Sequence, residues 1–133
     1  MSLSGSCLCG QINLTISSEP MMAGVCHCKN CQKQTGSAFS TLAGFPLSDI
    51  DFGDSELSMY EDSATESGSV VKRFFAENAD RRFIHKYLLN QIRLTLKRAF
   101  LMTLPHSKFN LWCDSKQDWV TLDETIPAIG KQA

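Results

Sequence analysis

Features that mark membrane proteins and nucleic-acid-binding proteins are missing from this chain of 133 residues. No apolar run approaches the roughly 20 residues that a membrane-spanning helix needs. The N-terminus, MSLSGSCLCGQ, has neither the cationic nor the apolar region of a signal peptide. The formal net charge of -1 gives no overall attraction to nucleic acid or to an anionic membrane. The sequence therefore predicts a cytoplasmic protein that binds neither.

Internal repeats and low-complexity segments are also lacking, and the chain is short. Because 43% of its residues are hydrophobic, it can bury a core without needing disulfides to fold. We therefore expect a single domain over residues 1–133.

Cysteine, in contrast, is abundant and clustered, with five of the six cysteines in the first 31 residues. Thiols stay reduced in the cytosol and are then available to metals. The C-x-C-x-x-C spacing of Cys26, Cys28 and Cys31 lets three thiolates hold one zinc ion and leave its fourth position open. Cys7 and Cys9 form a C-x-C pair that needs further ligands from elsewhere. Free or disulfide-bonded cysteines are the alternative interpretation.

Other residues near the cysteines are not expected to bind the metal. His27 is a candidate donor to substrate, but it is expected to face solvent or to bond the backbone. Lys29 and Lys33 are candidate partners for a carboxylate, but they are expected to be solvated. Cys113, beside Trp112, is expected to be a small buried hydrophobic residue rather than a ligand.

The first half of the chain predicts short β-strands. Ile12, Leu14 and Ile16 alternate with polar residues, which is typical of a strand with one buried face. Residues 22–34 are expected to form a cysteine-rich loop. After it, turns rich in glycine, serine and aspartate separate short strands up to a buried run at residues 70–75.

Residues 80–102 have a different pattern and contain no glycine or proline. Apolar residues recur there every four positions, at 84, 88, 92 and 96, and the opposite face carries lysine and arginine. This pattern predicts a cationic amphipathic helix at about 80–102.

Three blocks of sequence carry a resemblance to a known family: GSCLCGQI, CHCKNCQKQTGSAFS and WCDSKQDWV. They resemble the glutathione-dependent formaldehyde-activating (GFA) family, which also includes centromere protein V. The resemblance implies a mainly β fold of small antiparallel sheets tied together by zinc, the β-tent type. It also implies a catalytic zinc on Cys26, Cys28 and Cys31, and a structural zinc on which Cys7 and Cys9 join a later C-x-x-C pair.

The activity implied by the resemblance is that of a carbon-sulfur lyase, S-(hydroxymethyl)glutathione synthase. Glutathione or another thiol adds reversibly to formaldehyde or a small aldehyde at a thiolate-bound zinc. In this scheme the three loop cysteines are metal ligands, not nucleophiles. The alternatives are a non-catalytic zinc-binding interaction module and an inactive family member.

The segment at about 76–104 departs from the family pattern. The family has a form resembling F-C-x-x-C-G-S-P, whereas this chain reads FAENADRR from Phe75, so both later ligands are missing. The structural zinc is therefore expected to be absent or weakly held. Read one base earlier, codons for residues 79–85 permit Cys-Gly-Ser-Pro-Ile-Tyr-Ser, and the Phe75/Ala76 junction permits Cys. We hypothesise that Ala76 to about Leu104 is an out-of-frame translation of an ordinary family member.

Overall fold

The structure is a computed structural model that describes residues 3–7, 9–77, 86–89, 93–97 and 106–131, with the backbone alone described at 86–89 and 93–97. Within these residues the chain forms ten strands in two sheets and a single α-helix, which confirms the predicted mainly β fold. No helix in this part of the chain is long and apolar enough to cross a membrane.

The elements follow one another along the chain with short connections. In order they are β1 (Leu3–Ser6), β2 (Asn13–Ile16), β3 (Met22–Cys26), α1 (Lys29–Thr35), β4 (Ser40–Pro46), β5 (Ile50–Asp51), β6 (Ser58–Asp62), β7 (Val71–Phe75), β8 (Lys86–Leu89), β9 (Arg93–Lys97) and β10 (Phe109–Leu111). A 3-10 turn at Cys113–Ser115 follows β10.

Strands β1, β2 and β5 form the smaller sheet, which is antiparallel with β2 in the middle. The predicted alternation is confirmed, because Ile12, Leu14 and Ile16 are all buried. Leu14 and Ile16 pack against Ala43 and Phe45 of β4 in the larger sheet. A shared apolar core thus joins the two sheets.

The larger sheet has the strand order β10-β3-β4-β9-β8-β7-β6. Its pairings are antiparallel except that of β10 with β3, which is parallel. The β10 register sets Leu111 beside Cys26 at the end of β3. This pairing brings the C-terminal part of the chain to the cysteine loop.

The cationic helix predicted at about 80–102 is wrong wherever the structure describes that segment. Lys86–Leu89 and Arg93–Lys97 are antiparallel strands, with β8 paired to β7 and β9 paired to β4. These pairings satisfy backbone groups that β4 and β7 would otherwise leave open. The sequence RLTLK at 93–97 also alternates with a period of two, so it fits a strand. The rest of the predicted helix lies outside the described residues.

The buried run predicted at residues 70–75 is confirmed only in part. Val71 is buried, Phe74 and Phe75 are half-buried, and Val70 is 53% exposed. Because successive side chains of a strand point to opposite faces, β7 buries alternate residues rather than a continuous run.

Candidate metal centre

The cysteine loop is shorter than the predicted range of residues 22–34, because a strand and a helix occupy most of that range. Strand β3 runs to Cys26 and helix α1 begins at Lys29, so only His27 and Cys28 lie between them. Cys28 is the N-cap of α1, and its Sγ accepts a hydrogen bond from the Cys31 N–H at 3.3 Å. A strand end and a helix start therefore fix the positions of the three cysteines.

The Sγ atoms of Cys26, Cys28 and Cys31 all lie within 4.8 Å of one another. Cys26 and Cys31 are buried and Cys28 is half-buried. A tetrahedral zinc ion with Zn–S bonds of about 2.3 Å holds its sulfur ligands about 3.8 Å apart, so a small adjustment seats the ion. The donor set fits zinc. Among the described residues no other group of three or more cysteine, histidine or acidic side chains converges in this way.

Crowding of the three thiols changes their acidity. Hydrogen bonds with Cys28 and Cys31, together with burial, raise the pKa of Cys26 far above its ordinary value. The hydrogen bond with Cys26 lowers the pKa of Cys28, but the neighbouring Cys31 and burial outweigh it and raise that pKa to about 11. Three adjacent thiolates repel one another, and a divalent cation that replaces the thiol protons relieves this repulsion.

His27 stands between two of the sulfur residues and is 1% exposed. The prediction that it faces solvent or bonds the backbone through its ring is wrong. Its Nε2 lies 3.4 Å from Asn110 Oδ1, and its ring packs at a tilt on Phe39. Its backbone N–H donates to the Leu111 carbonyl at 3.0 Å. His27 therefore fixes the loop to β10.

A cavity of about 270 Å³ lies beside Val25, His27 and Asn110. Because Val25 and His27 alternate with Cys26 along the chain, this cavity lies across the strand from the Cys26 sulfur. His27 Nδ1 and Asn110 Nδ2 are buried and have no hydrogen-bond partner among the described residues. The cavity is therefore separate from the sulfur cluster, and polar enough to hold water.

Gln32 of α1 connects the loop to the segment after β10. Its Nε2 donates to the carbonyls of His27 at 2.7 Å and Ser115 at 3.0 Å, and its Oε1 accepts from Gln117 Nε2 at 2.7 Å. Sequence reasoning missed this role. The two glutamines stand in the blocks CQKQ and SKQ, but no local pattern indicates that side chains 85 positions apart meet.

A buried ion pair anchors the other side of α1. Arg73 donates to Asp62 Oδ2 from Nε at 2.9 Å and from Nη2 at 2.6 Å, and its Nη1 reaches Gln34 Oε1 at 2.7 Å. Asn30 donates to the same Asp62 oxygen at 3.0 Å. Burial raises the pKa of Asp62, but the hydrogen bonds from Arg73 and Asn30 outweigh it and lower that pKa. This network, also missed from the sequence, attaches the helix to β6 and β7.

The second cysteine pair lies in the turn between β1 and β2. The Sγ atoms of Cys7 and Cys9 are 3.1 Å apart, and the Ile12 N–H donates to Cys7 Sγ at 3.1 Å. Gly10 has a φ of +79°, a left-handed conformation that glycine adopts at no steric cost, and this lets the turn close. Cys7 is buried, whereas Cys9 is exposed.

A closed zinc site does not fit the Cys7–Cys9 pair as described. No third cysteine, histidine or acidic side chain joins the two sulfurs among the described residues. Ala76, at the position where the family pattern has a cysteine, is fully buried and packs with Cys7 and Ile12. The assignment of Cys7 and Cys9 as metal ligands therefore stays a prediction.

Cys113 lies outside the three-sulfur cluster. It is half-buried rather than buried as predicted, and burial raises the pKa of its thiol. Its neighbour Trp112 is buried and packs in the same apolar cluster as the two buried loop cysteines. Lys29 and Lys33 are exposed, as expected.

Comparisons with known proteins bear on this centre. The sequence profile of the family described as glutathione-dependent formaldehyde-activating enzyme matches residues 2–115, which include both cysteine clusters. A crystal structure of a Rhodobacter sphaeroides protein has a similar fold, with a TM-score of 0.51 over 96% of this chain and 99% of that chain, at 18% identity. No match to a curated protein is significant.

Proposed function

The chain belongs to the glutathione-dependent formaldehyde-activating enzyme family, and we propose that it is a carbon-sulfur lyase of the S-(hydroxymethyl)glutathione synthase type. Its reaction is the reversible addition of glutathione, or another thiol, to formaldehyde or a small aldehyde. The observation that carries the proposal is the convergence of the Cys26, Cys28 and Cys31 sulfurs within 4.8 Å.

The chemistry of the centre follows from its ligands. A zinc ion held by the three thiolates would supply a Lewis-acidic position that acidifies a thiol and polarises a carbonyl. The buried Cys26 and Cys31 and the half-buried Cys28 would be its ligands, and Cys28 is the one most open to solvent. We therefore place the approach of the substrate on the Cys28 side.

The chain's own contribution is to hold the ligands still. Glu66 accepts a hydrogen bond from the Lys29 N–H at 2.6 Å and another from Ser115 Oγ at 2.6 Å, which fixes the first turn of α1. Gln32 adds hydrogen bonds to the carbonyls of His27 and Ser115, so the loop and the segment after β10 are held together. A thiol and an aldehyde that meet at a rigid site lose less entropy in reaching the transition state.

Exchange NMR tests the proposal. The adduct also forms without catalysis, so the quantity to measure is the rate of exchange between glutathione and its hydroxymethyl adduct. We expect the zinc-loaded chain to accelerate this exchange. The variant Cys31→Ser should show only the uncatalysed background rate, whereas the matched control Cys113→Ser should accelerate the exchange as the unaltered chain does.

The same experiment separates the alternatives. A zinc-loaded chain that leaves the exchange at its background rate contradicts the proposal and supports a non-catalytic zinc-binding module. If the chain binds no zinc under reducing conditions, the proposed zinc centre does not form, and the result supports an inactive family member.

A further inference from the structure

The turn at Cys7 and Cys9 brings two thiols together, and no third cysteine, histidine or acidic side chain joins them in the part of the chain that the structure describes. A disulfide brings its sulfurs to about 2.05 Å, whereas a shared zinc ion holds them about 3.8 Å apart. The observed separation of 3.1 Å lies between these values, and the apolar Ala76 packs against Cys7 in place of a third ligand. We propose that Cys7 and Cys9 form a reversible disulfide by exchange with a low-molecular-weight disulfide such as oxidised glutathione.

The two thiols differ in the way that such an exchange requires. Cys9 is exposed, so a disulfide from solution can reach it, whereas Cys7 is 5% exposed and is shielded by Ile12 and Ala76. Cys9 therefore reacts first. Cys7 lies within 3.1 Å of the Cys9 sulfur and resolves the mixed disulfide.

Hydrogen bonds of the turn hold Cys7 in position for this second step. The Ile12 N–H donates to Cys7 Sγ at 3.1 Å, and the Gly10 N–H donates to the Cys7 carbonyl at 3.0 Å. These bonds keep the Cys7 sulfur beside that of Cys9.

The steps balance in atoms and electrons. The Cys9 thiolate attacks one sulfur of oxidised glutathione, the S–S bond breaks, and one glutathione thiolate leaves. The Cys7 thiolate then attacks the Cys9 sulfur, and the second glutathione leaves. Two cysteine thiols lose their protons and two electrons, and one glutathione disulfide is reduced to two glutathione molecules.

The disulfide is expected to be readily reversed. It closes a loop that contains only one intervening residue, and the stabilisation that a disulfide gives rises with the length of the loop it closes. A weakly stabilising disulfide near the surface is readily reduced by thiols. The pair therefore serves as a modification site rather than as a permanent cross-link, and it acts independently of the lyase activity proposed above.

The test uses the full chain loaded with zinc. The protein is equilibrated without oxygen in mixtures of reduced and oxidised glutathione, its free thiols are blocked with N-ethylmaleimide, and its peptides are mapped by mass spectrometry. We expect Cys7 and Cys9 to lose alkylation together as the oxidised fraction rises, while one zinc stays bound and Cys26, Cys28 and Cys31 remain reduced.

Two variants assign the order of the steps. Cys7→Ser should keep glutathione on Cys9 as a lasting mixed disulfide, whereas Cys9→Ser should leave Cys7 free of glutathione under the same conditions. The proposal is overturned if both thiols of the unaltered chain stay alkylated at every ratio, if Cys26, Cys28 or Cys31 oxidises first, or if a second zinc ion protects the pair.

Discussion

Two turns of this molecule carry a C-x-C pair, and they differ in what lies beside the pair. In the loop before α1, Cys26 and Cys28 meet Cys31, and three sulfurs converge within 4.8 Å. In the turn between β1 and β2, Cys7 packs against Ala76, and Cys9 is exposed. Among the described residues, the same local motif thus belongs to a three-sulfur cluster in one place and to a pair of thiols in the other.

The difference shows that the third ligand and the support around it decide what a C-x-C pair can do. The third sulfur of the loop is only three residues away from Cys28 and arrives with the first turn of α1. The resemblance to the family puts the remaining ligands of Cys7 and Cys9 just after β7, far along the chain. A change in that distant segment is therefore expected to affect the turn at Cys7 and not the loop before α1.

Cysteines returned to positions 76 and 79 are expected to have the largest effect on the turn at Cys7. We expect the double variant Ala76→Cys/Ala79→Cys to raise the zinc content from one ion per chain to two, because Ala76 already packs against Cys7 and the family pattern puts the last ligand at position 79. Native mass spectrometry measures the stoichiometry, and Ala76→Ser is the matched control. A count that stays at one means that the lost sulfurs are not what separates the two sites.

The buried ion pair that attaches α1, next to the cysteine loop, provides a second test. Arg73→Met leaves the Asp62 carboxylate buried without its cation, which is expected to lower the free energy of unfolding by about 3–5 kcal/mol. Denaturant unfolding measures this loss. Lys72→Met, which removes an exposed charge from the same strand, is the control and is expected to change stability by less than about 0.5 kcal/mol. Equal effects of the two substitutions would show that the buried pair does not anchor the helix.

The same pair makes a smaller prediction about acid stability. The pKa of Asp62 is lower in the folded chain than in the unfolded one, so its contribution is present above the unfolded value of about 3.9 and is lost as the pH falls through the folded value. The free energy of unfolding should therefore fall less steeply below about pH 5 in Asp62→Asn than in the unaltered chain. If the free energy of unfolding falls with the same slope in both proteins, Asp62 does not contribute to acid stability.

The three-sulfur cluster could be predicted from the sequence because its cysteines are close together along the chain. Cys26, Cys28 and Cys31 lie within six residues, so spacing alone brings their sulfurs together. The ion pair of Asp62 with Arg73 could not be predicted, since it depends on the pairing of β6 with β7. The helix predicted at about 80–102 failed for a related reason, because the hydrogen-bonding needs of neighbouring strands outweigh a local periodicity that fits both structures.

The out-of-frame hypothesis for Ala76 to about Leu104 concerns the comparison directly, because it gives one cause for the loss of both missing ligands. Sequencing the gene tests it. We expect codons that, read one base earlier, encode a C-x-x-C-G-S-P motif without a stop codon. A stop codon in that frame, or codons that do not encode the motif, would rule out the hypothesis and leave Ala76 as an ordinary substitution.

We propose that the three sulfurs hold one metal ion and leave one position free for an incoming thiol. Cobalt substitution followed by titration with glutathione tests it most directly, since the sulfur-to-cobalt charge-transfer absorption reports how many thiolates are bound. We expect the intensity to rise by about one third as a fourth sulfur joins the three of Cys26, Cys28 and Cys31. A cobalt spectrum that glutathione leaves unchanged would show that no thiol joins the three sulfurs on the metal.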